Sequence, residues 1–319
     1  MNATPPTLAA QASRDRTDDP RCAVVLVCWN NKAYLEQCLH SLYDAEMRNR
    51  FEVVVVDNGS TDGSQHMVRH RFPDVRMIQN DRNVGLGRAS NQGIECTRAP
   101  YVLLLNNDTL VDGPSLDALI DFMDARPDAG AAGGTLLNED GSFQAAYNRF
   151  PSLVEEFLIA TRLGELFWTE YPSHQGGDNA RSVDWIGSAC LLLRREALSG
   201  VGLLDEGYFI YGDETDLQYR LVRSGWNVYH VPGAATIHFG GRSLDRWRRR
   251  RMVYRGKMIF FRKHYGRARE CALRSMLGLL TICKVLAWSV VWPVPSRRER
   301  ATRELRSNAD VLRLCLRLE

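Results

Sequence analysis

The sequence lacks the paired cysteines of a CxxC motif, and its eight cysteines are scattered along the chain. Several of them lie inside apolar runs, which is typical of reduced core residues in a cytoplasmic protein. Residues 1–20 contain no apolar segment of the kind that forms a secretory signal, and we expect them to be a disordered tail. The chain also lacks an internal repeat, so its fold must come from non-repeating elements.

Long apolar runs are almost absent as well. The exception is residues 275–292, which carry Lys284 near the middle and two tryptophans towards the end. The five arginines in residues 246–251, together with Arg255, could clamp a diphosphate or meet anionic headgroups, although they could equally form a solvated helix face. The apolar run could pack on the protein or lie in a membrane interface. We expect peripheral contact with the inner face of the cytoplasmic membrane.

What remains is an ordinary globular composition of 319 residues, 45% hydrophobic and 25% charged. Apolar, β-branched runs alternate with helical patterns, which predicts an α/β fold with a doubly wound, mostly parallel sheet. The expected strands are residues 22–28, 51–56, 75–79, 101–105, 129–137, 183–193, 228–231 and 236–238. Residues 147–181 are expected to be loops over a binding face, and the last eighty residues to be helical and basic.

Polar residues stop the apolar run at 101–105. Asn106, Asn107 and Asp108 follow it directly, where open α/β sheets bind ligands beyond the carboxyl ends of their strands. These side chains could also turn the chain and cap the next helix. We interpret Asp108 as a ligand of Mg²⁺ or Mn²⁺, because such an ion takes few protein carboxylates together with diphosphate oxygens.

Two further sites could serve the same ligand. Asp57 ends a strand and can accept a ring N–H of a nucleotide base, while Ser60 and Asp62 can hold the ribose or the neighbouring backbone. His238 precedes a diglycine and Arg242. A lone histidine is usually structural, but this one could ligate the metal or touch phosphate.

The acidic cluster at residues 213–216 supplies a general base. A carboxylate of Asp213 or Glu214 within hydrogen-bond reach of an acceptor hydroxyl can remove its proton. The alternative is that these acids complement the dipole of a helix, with Asp216 and Arg220 forming an i,i+4 pair. Combined with the other sites, the pattern favours the base.

Eight motifs in order make the chain similar to the family 2 inverting glycosyltransferases, in the bacterial branch of cell-envelope rhamnosyltransferases. The resemblance runs from about residue 23 to residue 266. Its motifs are VVLVCWNN, VVVVDNGSTDGS, NVGLGRASNQG, YVLLLNNDT, WIGSACLLLRREAL, VGLLDEGYFIYGDETDLQYRL, IHFGGRS and FFRKHYG.

The resemblance implies a GT-A fold and inverting transfer from a nucleoside-diphosphate sugar, most commonly thymidine-diphosphate rhamnose in that branch, to a glycan or a polyprenyl-diphosphate-linked acceptor. Asn106 stands where many relatives have the first Asp of a DxD motif. The usual Glu-Asp pair is present as Asp213-Glu214, so Glu214 matches the catalytic position. The implied donor contacts are Asp57, Asn83, Gly85, Asn91, Asn106 and Asn107, and the implied acceptor or diphosphate contacts are Trp185, Gly187 and Arg242.

Two other functions are compatible with parts of the sequence. A nucleotidylyltransferase would need a Gly-rich, basic loop after the first strand, which Trp29-Asn30-Asn31 does not provide. A nucleic-acid-binding protein would use the arginines but would leave three acidic strand ends without a role, and we expect no nucleic-acid partner. We therefore predict a glycosyltransferase domain over residues 21–266 and a helical C-terminal segment over residues 267–319.

Overall fold

A computed structural model describes residues 19–167, 177, 179–240 and 246–316 of the chain. The tail expected at residues 1–20 lies outside this part except for Asp19 and Pro20. The strands are β1 (Cys22–Cys28), β2 (Phe51–Asp57), β3 (Arg76–Gln79), β4 (Tyr101–Asn106), β5 (Thr109–Leu110), β6 (Ala129–Leu137), β7 (Phe143–Gln144), β8 (Tyr147–Asn148), β9 (Arg181–Val183), β10 (Trp185–Ile186), β11 (Cys190–Arg194) and β12 (Asn227–His238).

The described helices alternate with these strands in the first half of the chain and follow one another at its end. They are α1 (Lys32–Tyr43), α2 (Ser64–Arg71), α3 (Leu86–Glu95), α4 (Gly113–Ala125), α5 (Leu153–Thr161), α6 (Gly164–Phe167), α7 (Arg195–Val201), α8 (Asp213–Arg223), α9 (Arg246–Tyr265), α10 (Arg267–Val291) and α11 (Arg298–Leu316). The predicted α/β class is confirmed.

The main sheet has the strand order β3-β2-β1-β4-β11-β6-β12-β5. Strands β1 to β4 are parallel, and β6 and β12 are parallel to each other, whereas β11 is antiparallel to both β4 and β6. The strands at the centre are buried on both faces, as the uninterrupted apolar runs of β1 and β4 predicted. The carboxyl ends of the parallel strands therefore share one edge.

Two strand predictions were wrong in detail. Residues 183–193 do not form one strand, because β10 pairs with β8 in a separate two-stranded sheet while β9 and β11 belong to the main sheet. Residues 228–231 and 236–238 are not two strands but parts of β12, which continues through an irregularity between Val231 and Ala235. Pairing between distant segments decided both outcomes.

The loops expected over residues 147–181 were also wrong in part. Helices α5 and α6 lie in this segment, and the side chain of Ser152 caps α5 by accepting a hydrogen bond of 3.1 Å from the N–H of Glu155. Serine followed three residues later by glutamate is a helix-start signal that the aromatic and glycine content of the segment obscured. Residues 168–176 and 178 lie outside the described part.

The C-terminal helices form a second core, which confirms their predicted helical character. Phe260 and Phe261 of α9 pack with Leu273 and Leu277 of α10 and with Val311 of α11. The same cluster includes residues of α5 and α8 at its border. Helices α9 and α10 are therefore attached to the domain that carries the strand-end acids.

Candidate active site

The acids predicted from the sequence meet at the carboxyl edge of the sheet. Asp57 ends β2 and Asn106 lies at the end of β4, while β1 runs in parallel register between these two strands. Strand β5 follows Asp108 and pairs with the last residues of β12, so that Asp108 lies beside His238. The sheet thus assembles a site from residues that are far apart in the chain.

Asp57 is 1% exposed, and only one of its carboxylate oxygens accepts hydrogen bonds from the described residues. Its Oδ1 accepts hydrogen bonds from the N–H of Ser60 at 3.1 Å and from Nε2 of Gln65 at 2.8 Å. Its Oδ2 is buried and has no hydrogen-bond partner among the described residues. Because an unsatisfied buried oxygen is costly, this atom is well suited to accept an N–H from a ligand.

Ser60 and Asp62 hold the neighbouring backbone, one of the two roles considered from the sequence. The hydroxyl of Ser60 accepts from the N–H of Asn30, and Asp62 accepts from the N–H groups of Lys32 and Ser64. Burial favours a raised pKa of Asp62, but hydrogen bonds to its ionised form from the Ser64 hydroxyl and from the N–H groups of Lys32 and Ser64 outweigh it and lower the pKa. The loop after β1 is thereby fixed to the loop after β2.

An amide network fixes the loop before α3. Oδ1 of Asn83 accepts from Nδ2 of Asn58 and from the N–H of Gly85, each at 3.0 Å. Gly85 has φ +95°, and a Cβ at this position would lie 2.8 Å from the carbonyl oxygen of Phe209. Glycine is therefore required here, both for the backbone conformation and for the close approach.

Asn91 and Asn107 also make structural contacts. Asn91 exchanges two hydrogen bonds with the backbone of Leu204, at 2.9 and 3.1 Å. Asn107 donates to the carbonyl of Val27 and accepts from Nδ2 of Asn31, both at 2.7 Å. Their amides hold loops in place, and a direct contact with a donor stays a prediction.

His238 presents a ring nitrogen to Asp108. Its Nδ1 lies 2.6 Å from Oε1 of Gln144, which can only accept, so Nδ1 carries the proton in a neutral ring. Nε2 then faces Oδ1 of Asp108 at 3.3 Å and Nδ2 of Asn106 at 3.3 Å. A lone pair facing a carboxylate oxygen is a favourable position for a cation.

These residues fit a divalent ion that takes part of its coordination from a ligand. Among the described residues there is no group of three or more His, Cys, Asp or Glu side chains that could hold a metal. The pair of Asp108 and His238 offers two ligands, and the amide of Asn106 lies beside them. Mg²⁺ and Mn²⁺ accept such incomplete protein sites when phosphate oxygens complete them.

Asp213 and Glu214 are the first two residues of helix α8, and their environments differ. Asp213 is 2% exposed, and its Oδ1 has no partner within the described residues. Burial, and then the charge of Glu214, raise the pKa of Asp213 well above its ordinary value. Glu214 is less buried and accepts from the N–H of Gly212 at 3.1 Å. The pair thus combines a buried acid, whose pKa is raised, with a more accessible carboxyl group.

A narrow cleft, open to solvent, connects this pair with the end of β4. The polar residues that line it are Ser90, Asn106, Ser188, Asp213 and Glu214. The cleft therefore joins the candidate base to the edge that carries Asp108.

Asp216 is structural. It is fully buried and is surrounded by Nε of Arg220 at 2.9 Å, Nζ of Lys263 at 2.8 Å and Nε2 of His264 at 2.7 Å. Burial opposes its charge, but the hydrogen bonds from His264, Lys263 and Arg220 lower its pKa to about 2. The i,i+4 pair with Arg220 is confirmed, and the other two partners attach α9 to α8.

The segment containing Trp185 and Gly187 lies against α8. The side-chain amide of Gln218 exchanges two hydrogen bonds of 2.8 Å with the backbone of Ile186, and the N–H of Gly187 donates to the carbonyl of Ala146 at 2.9 Å. This arrangement brings the following residue, Ser188, to the cleft.

Among the described residues, the space that a side chain at position 187 would occupy is open. A Cβ placed there would have one neighbour within 4 Å, the carbonyl oxygen of Ala146 at 3.7 Å, and this oxygen is the one that accepts the hydrogen bond from the N–H of Gly187. A ligand group can therefore approach the backbone at this point, although contact with an acceptor stays a prediction. Arg242, the third predicted acceptor residue, lies outside the described residues.

Sequence reasoning missed three residues of the site. Gln144, which fixes the tautomer of His238, lies in a two-residue strand, and no local sequence pattern indicates its role. Ser188 lines the cleft but looks like an ordinary small residue in the sequence. Tyr211 has a positive φ of +65°, for which the only local signal is the glycine that follows it.

Comparisons with known proteins agree with this arrangement. The family described as Glycosyl transferase family 2 matches residues 23–199. The chain is 35% identical over 240 residues to an N-acetylglucosaminyl-diphospho-decaprenol L-rhamnosyltransferase of Mycobacterium tuberculosis (strain CDC 1551 / Oshkosh), covering 70% of this chain and 77% of that relative. It is 22% identical over 224 residues to the rhamnosyltransferase WbbL of Escherichia coli (strain K12), covering 68% of this chain and 82% of WbbL.

Two solved structures share the fold. The mannosyltransferase PcManGT from Pyrobaculum calidifontis, in complex with GDP-Man and Mn²⁺, superposes with a TM-score of 0.56 at 16% identity, over 94% of this chain and 88% of that one. GalNAc-T7 with UDP, GalNAc and Mn²⁺ superposes with a TM-score of 0.53 at 16% identity, over 76% of this chain and 50% of that one. At this identity the likeness concerns the fold alone.

Proposed function

The chain belongs to glycosyl transferase family 2, and we propose that it transfers an L-rhamnosyl unit, with inversion, from a nucleoside-diphosphate donor to an acceptor linked to a polyprenyl diphosphate. Its fold is GT-A, as the sequence resemblance implied. The observation that carries the proposal is one carboxyl edge that brings together the open oxygen of Asp57, the pair Asp108–His238 and the cleft at Asp213–Glu214. In this proposal the three features are, in the same order, a group that binds the nucleotide base, a site for the donor diphosphate and a proton acceptor.

Asp108 and His238, with Asn106 beside them, would hold Mg²⁺ or Mn²⁺ together with the donor diphosphate. The ion would neutralise negative charge on the departing nucleoside diphosphate. Gln144 keeps the proton of His238 on Nδ1, so that Nε2 stays available to the site. The identity of the metal and the dependence on it are part of the proposal.

Glu214 acts as the general base in this proposal. The acceptor oxygen forms its bond to the anomeric carbon while the bond from that carbon to the diphosphate breaks, and the hydroxyl proton moves to Glu214. Asp213 is disfavoured as the base because burial, and then the charge of Glu214, raise its pKa and disfavour its ionised form. The N–H of Gly212 orients the Glu214 carboxylate.

Contact with a membrane surface is proposed for α10. This helix is long and apolar enough to cross a membrane, and most of its apolar part is not buried inside the protein. Nζ of Lys284 donates to the carbonyl of Ala160 in α5, however, so one face of α10 belongs to the protein. The exposed apolar face of α10, called here the α10 stripe, consists of Leu279, Ile282, Leu286 and Val290.

Aromatic and cationic side chains border the α10 stripe. The guanidinium of Arg298 lies 4.2 Å from the ring centroid of Trp292, and that of Arg300 lies 5.6 Å from Trp288. Tryptophan and arginine at the end of an apolar face suit the boundary between headgroups and acyl chains. We therefore propose that the protein lies on the cytoplasmic face of the membrane, where a lipid-linked acceptor would be found.

The proposed function is tested with the full chain, Mn²⁺ and a panel of donors. The panel contains thymidine-diphosphate L-rhamnose, GDP-mannose and UDP-N-acetylglucosamine, and the acceptor is N-acetylglucosamine joined through a diphosphate to a short prenyl chain. We expect transfer from the rhamnose donor with inverted anomeric configuration, detected by mass spectrometry and NMR. Transfer from one of the other donors alone would replace rhamnose as the proposed sugar, and absence of transfer from all three would overturn the proposal.

Asp108→Ala tests the diphosphate site. We expect the variant to lose Mn²⁺-dependent binding of thymidine diphosphate, measured by calorimetry, and to lose transfer, because it removes one of the few protein ligands. Asp140→Ala, in an exposed turn, is the control and should bind normally. Turnover by Asp108→Ala at the wild-type rate would contradict the assignment.

A further inference from the structure

Tyr211 holds an unusual backbone conformation next to the candidate base. Its φ of +65° lies in the left-handed region, which residues with a bulky side chain rarely adopt. It precedes Gly212, which is followed by Asp213, and such conformations persist where the surrounding structure enforces them, often at functional sites. The surrounding structure must therefore hold Tyr211 in this conformation.

Helix α9 enforces this conformation from the other side. Gly256 packs against Tyr211 so closely that a Cβ at position 256 would come within 2.2 Å of the Tyr211 carbonyl oxygen. Arg249 lies seven residues earlier, two turns along the same face of the helix, and its guanidinium is 5.6 Å from the centroid of the Tyr211 ring. Helix α9 thus places the guanidinium of Arg249 beside the loop that precedes the candidate base.

The ring of Tyr211 lies near both this cation and the acids of the site. Its pKa is raised chiefly by burial; the Arg249 charge opposes the shift, while the carboxylates of Glu214 and Asp108 add to it. The side chain of Arg249 is exposed, and no carboxylate in the described residues pairs with it. An exposed guanidinium stacked on an aromatic ring beside an active site is well suited to bind an anion.

The same turn of α9 packs on the C-terminal helices. Arg250 lies 3.4 Å from Oε2 of Glu304 in α11, and its charge, after burial, contributes to the lowered pKa of Lys284 in α10. Lys284 belongs to the face of α10 that packs on α5, opposite to the α10 stripe. Helix α9 therefore contacts both the loop that contains Tyr211 and the protein-facing side of α10.

Resting on the proposed function, we infer that Arg249 and Tyr211 form the subsite for the diphosphate of the acceptor and the sugar beside it. Arg249 would bind the phosphate oxygens, and the ring of Tyr211 would hold the guanidinium and pack against the sugar. Tyr211 lies three residues before Glu214, so a diphosphate bound at Arg249 would lie next to the sugar whose hydroxyl faces the base. Neither residue contacts the reacting atoms, so both are positioning residues.

The test compares two acceptors in full-length protein. One is N-acetylglucosamine joined through a diphosphate to a short prenyl chain, and the other is octyl N-acetylglucosaminide, which has no charge. We expect Arg249→Ala to raise the KM for the diphosphate acceptor about tenfold or more and to leave the KM of the donor unchanged. The octyl glycoside should be used equally by both proteins.

Two variants control the result. Arg255→Ala removes an exposed arginine from another face of α9 and should behave as wild type with both acceptors. Arg249→Lys should recover part of the loss, because it restores the charge without the planar fork. An equal effect of Arg249→Ala on both acceptors, or no effect on either, would overturn the inference.

Direct binding separates this inference from the proposed function. The affinity of wild type, Arg249→Ala and Tyr211→Ala for the diphosphate acceptor is measured without a donor, by calorimetry. Both variants are expected to bind more weakly than wild type, and Tyr211→Phe is expected to bind normally because the ring is kept. Normal binding by Arg249→Ala would contradict the subsite even if transfer works, whereas weakened binding without any transfer would contradict only the proposed reaction.

Discussion

Glu214 and Asp213 are neighbours in the chain, but their environments assign them different roles. If Glu214 accepts the proton as the bond forms, Glu214→Gln should lower kcat by about 10²–10⁴ while the donor dissociation constant stays nearly unchanged. Asp213→Asn should cost less, because the amide resembles the protonated acid that burial already favours. Transfer rates and donor binding by calorimetry check both variants. An inactive Asp213→Asn with a nearly normal Glu214→Gln would make Asp213 the base.

The unpartnered oxygen of Asp57 gives a second test. Asp57→Asn can place an N–H₂ group where Oδ2 now offers an acceptor, so we expect the dissociation constant of the nucleoside diphosphate to rise about tenfold or more. The change is measured by calorimetry with thymidine diphosphate. Asp44→Asn, at an exposed helix end, is the control. Equal affinities for the Asp57 variant and wild type would remove Asp57 from the donor site.

The contact between α8 and α9 depends on Asp216. Three cationic or hydrogen-bonding partners surround this buried carboxylate, and breaking such a group leaves buried charges without compensation. We expect Asp216→Asn to lower the free energy of unfolding by about 3 kcal/mol, measured by urea denaturation. Asp310→Asn breaks an exposed pair with Arg313 and should cost less than about 1 kcal/mol.

The same carboxylate predicts an acid dependence. Because folding lowers its pKa to about 2, the stability that it contributes is complete above the pKa of the unfolded chain, near 4, and is lost as the pH falls towards 2. Urea titrations between pH 5 and pH 2 should therefore show a smaller loss in Asp216→Asn than in wild type. Parallel pH curves for the two proteins would contradict this account.

The proposed attachment to the membrane concerns the molecule as a whole, because one face of α10 packs on the protein and the other is exposed. Leu273 and Leu277 lie in the second core, so deletion of the helix would expose that core, and substitutions in the α10 stripe are the better probe. We expect Leu286→Glu combined with Val290→Glu to weaken co-sedimentation with anionic vesicles about tenfold or more. Transfer to a soluble acceptor should be retained.

Val222→Glu, at an exposed apolar position outside the α10 stripe, is the matched control for these vesicle experiments. It adds the same kind of charge without changing the α10 stripe and should sediment as wild type does. Equal sedimentation of the α10 double variant and wild type would place the membrane contact elsewhere.

Local sequence patterns were sufficient for the parallel strands β1, β2 and β4 and for the acids at the edge of the sheet. β-branched and leucine runs that bury both faces predict β1, β2 and β4, and a parallel arrangement brings the polar residues after them to one edge. Asp57, Asp108 and the acids at the start of α8 could therefore be named in advance. Their chemistry follows from residue type and position within an element, which are both local properties.

Pairing between distant segments could not be predicted from local patterns and is seen only in the folded structure. His238 lies beside Asp108 because two-residue β5 joins the end of β12, and Gln144 fixes its tautomer from a third segment. The partners of Asp216 and the approach of Gly256 to Tyr211 come from α9, which follows α8 only after β12. Hydrophobic periodicity specifies which face of an element is buried, but it carries no information about which distant element will cover that face.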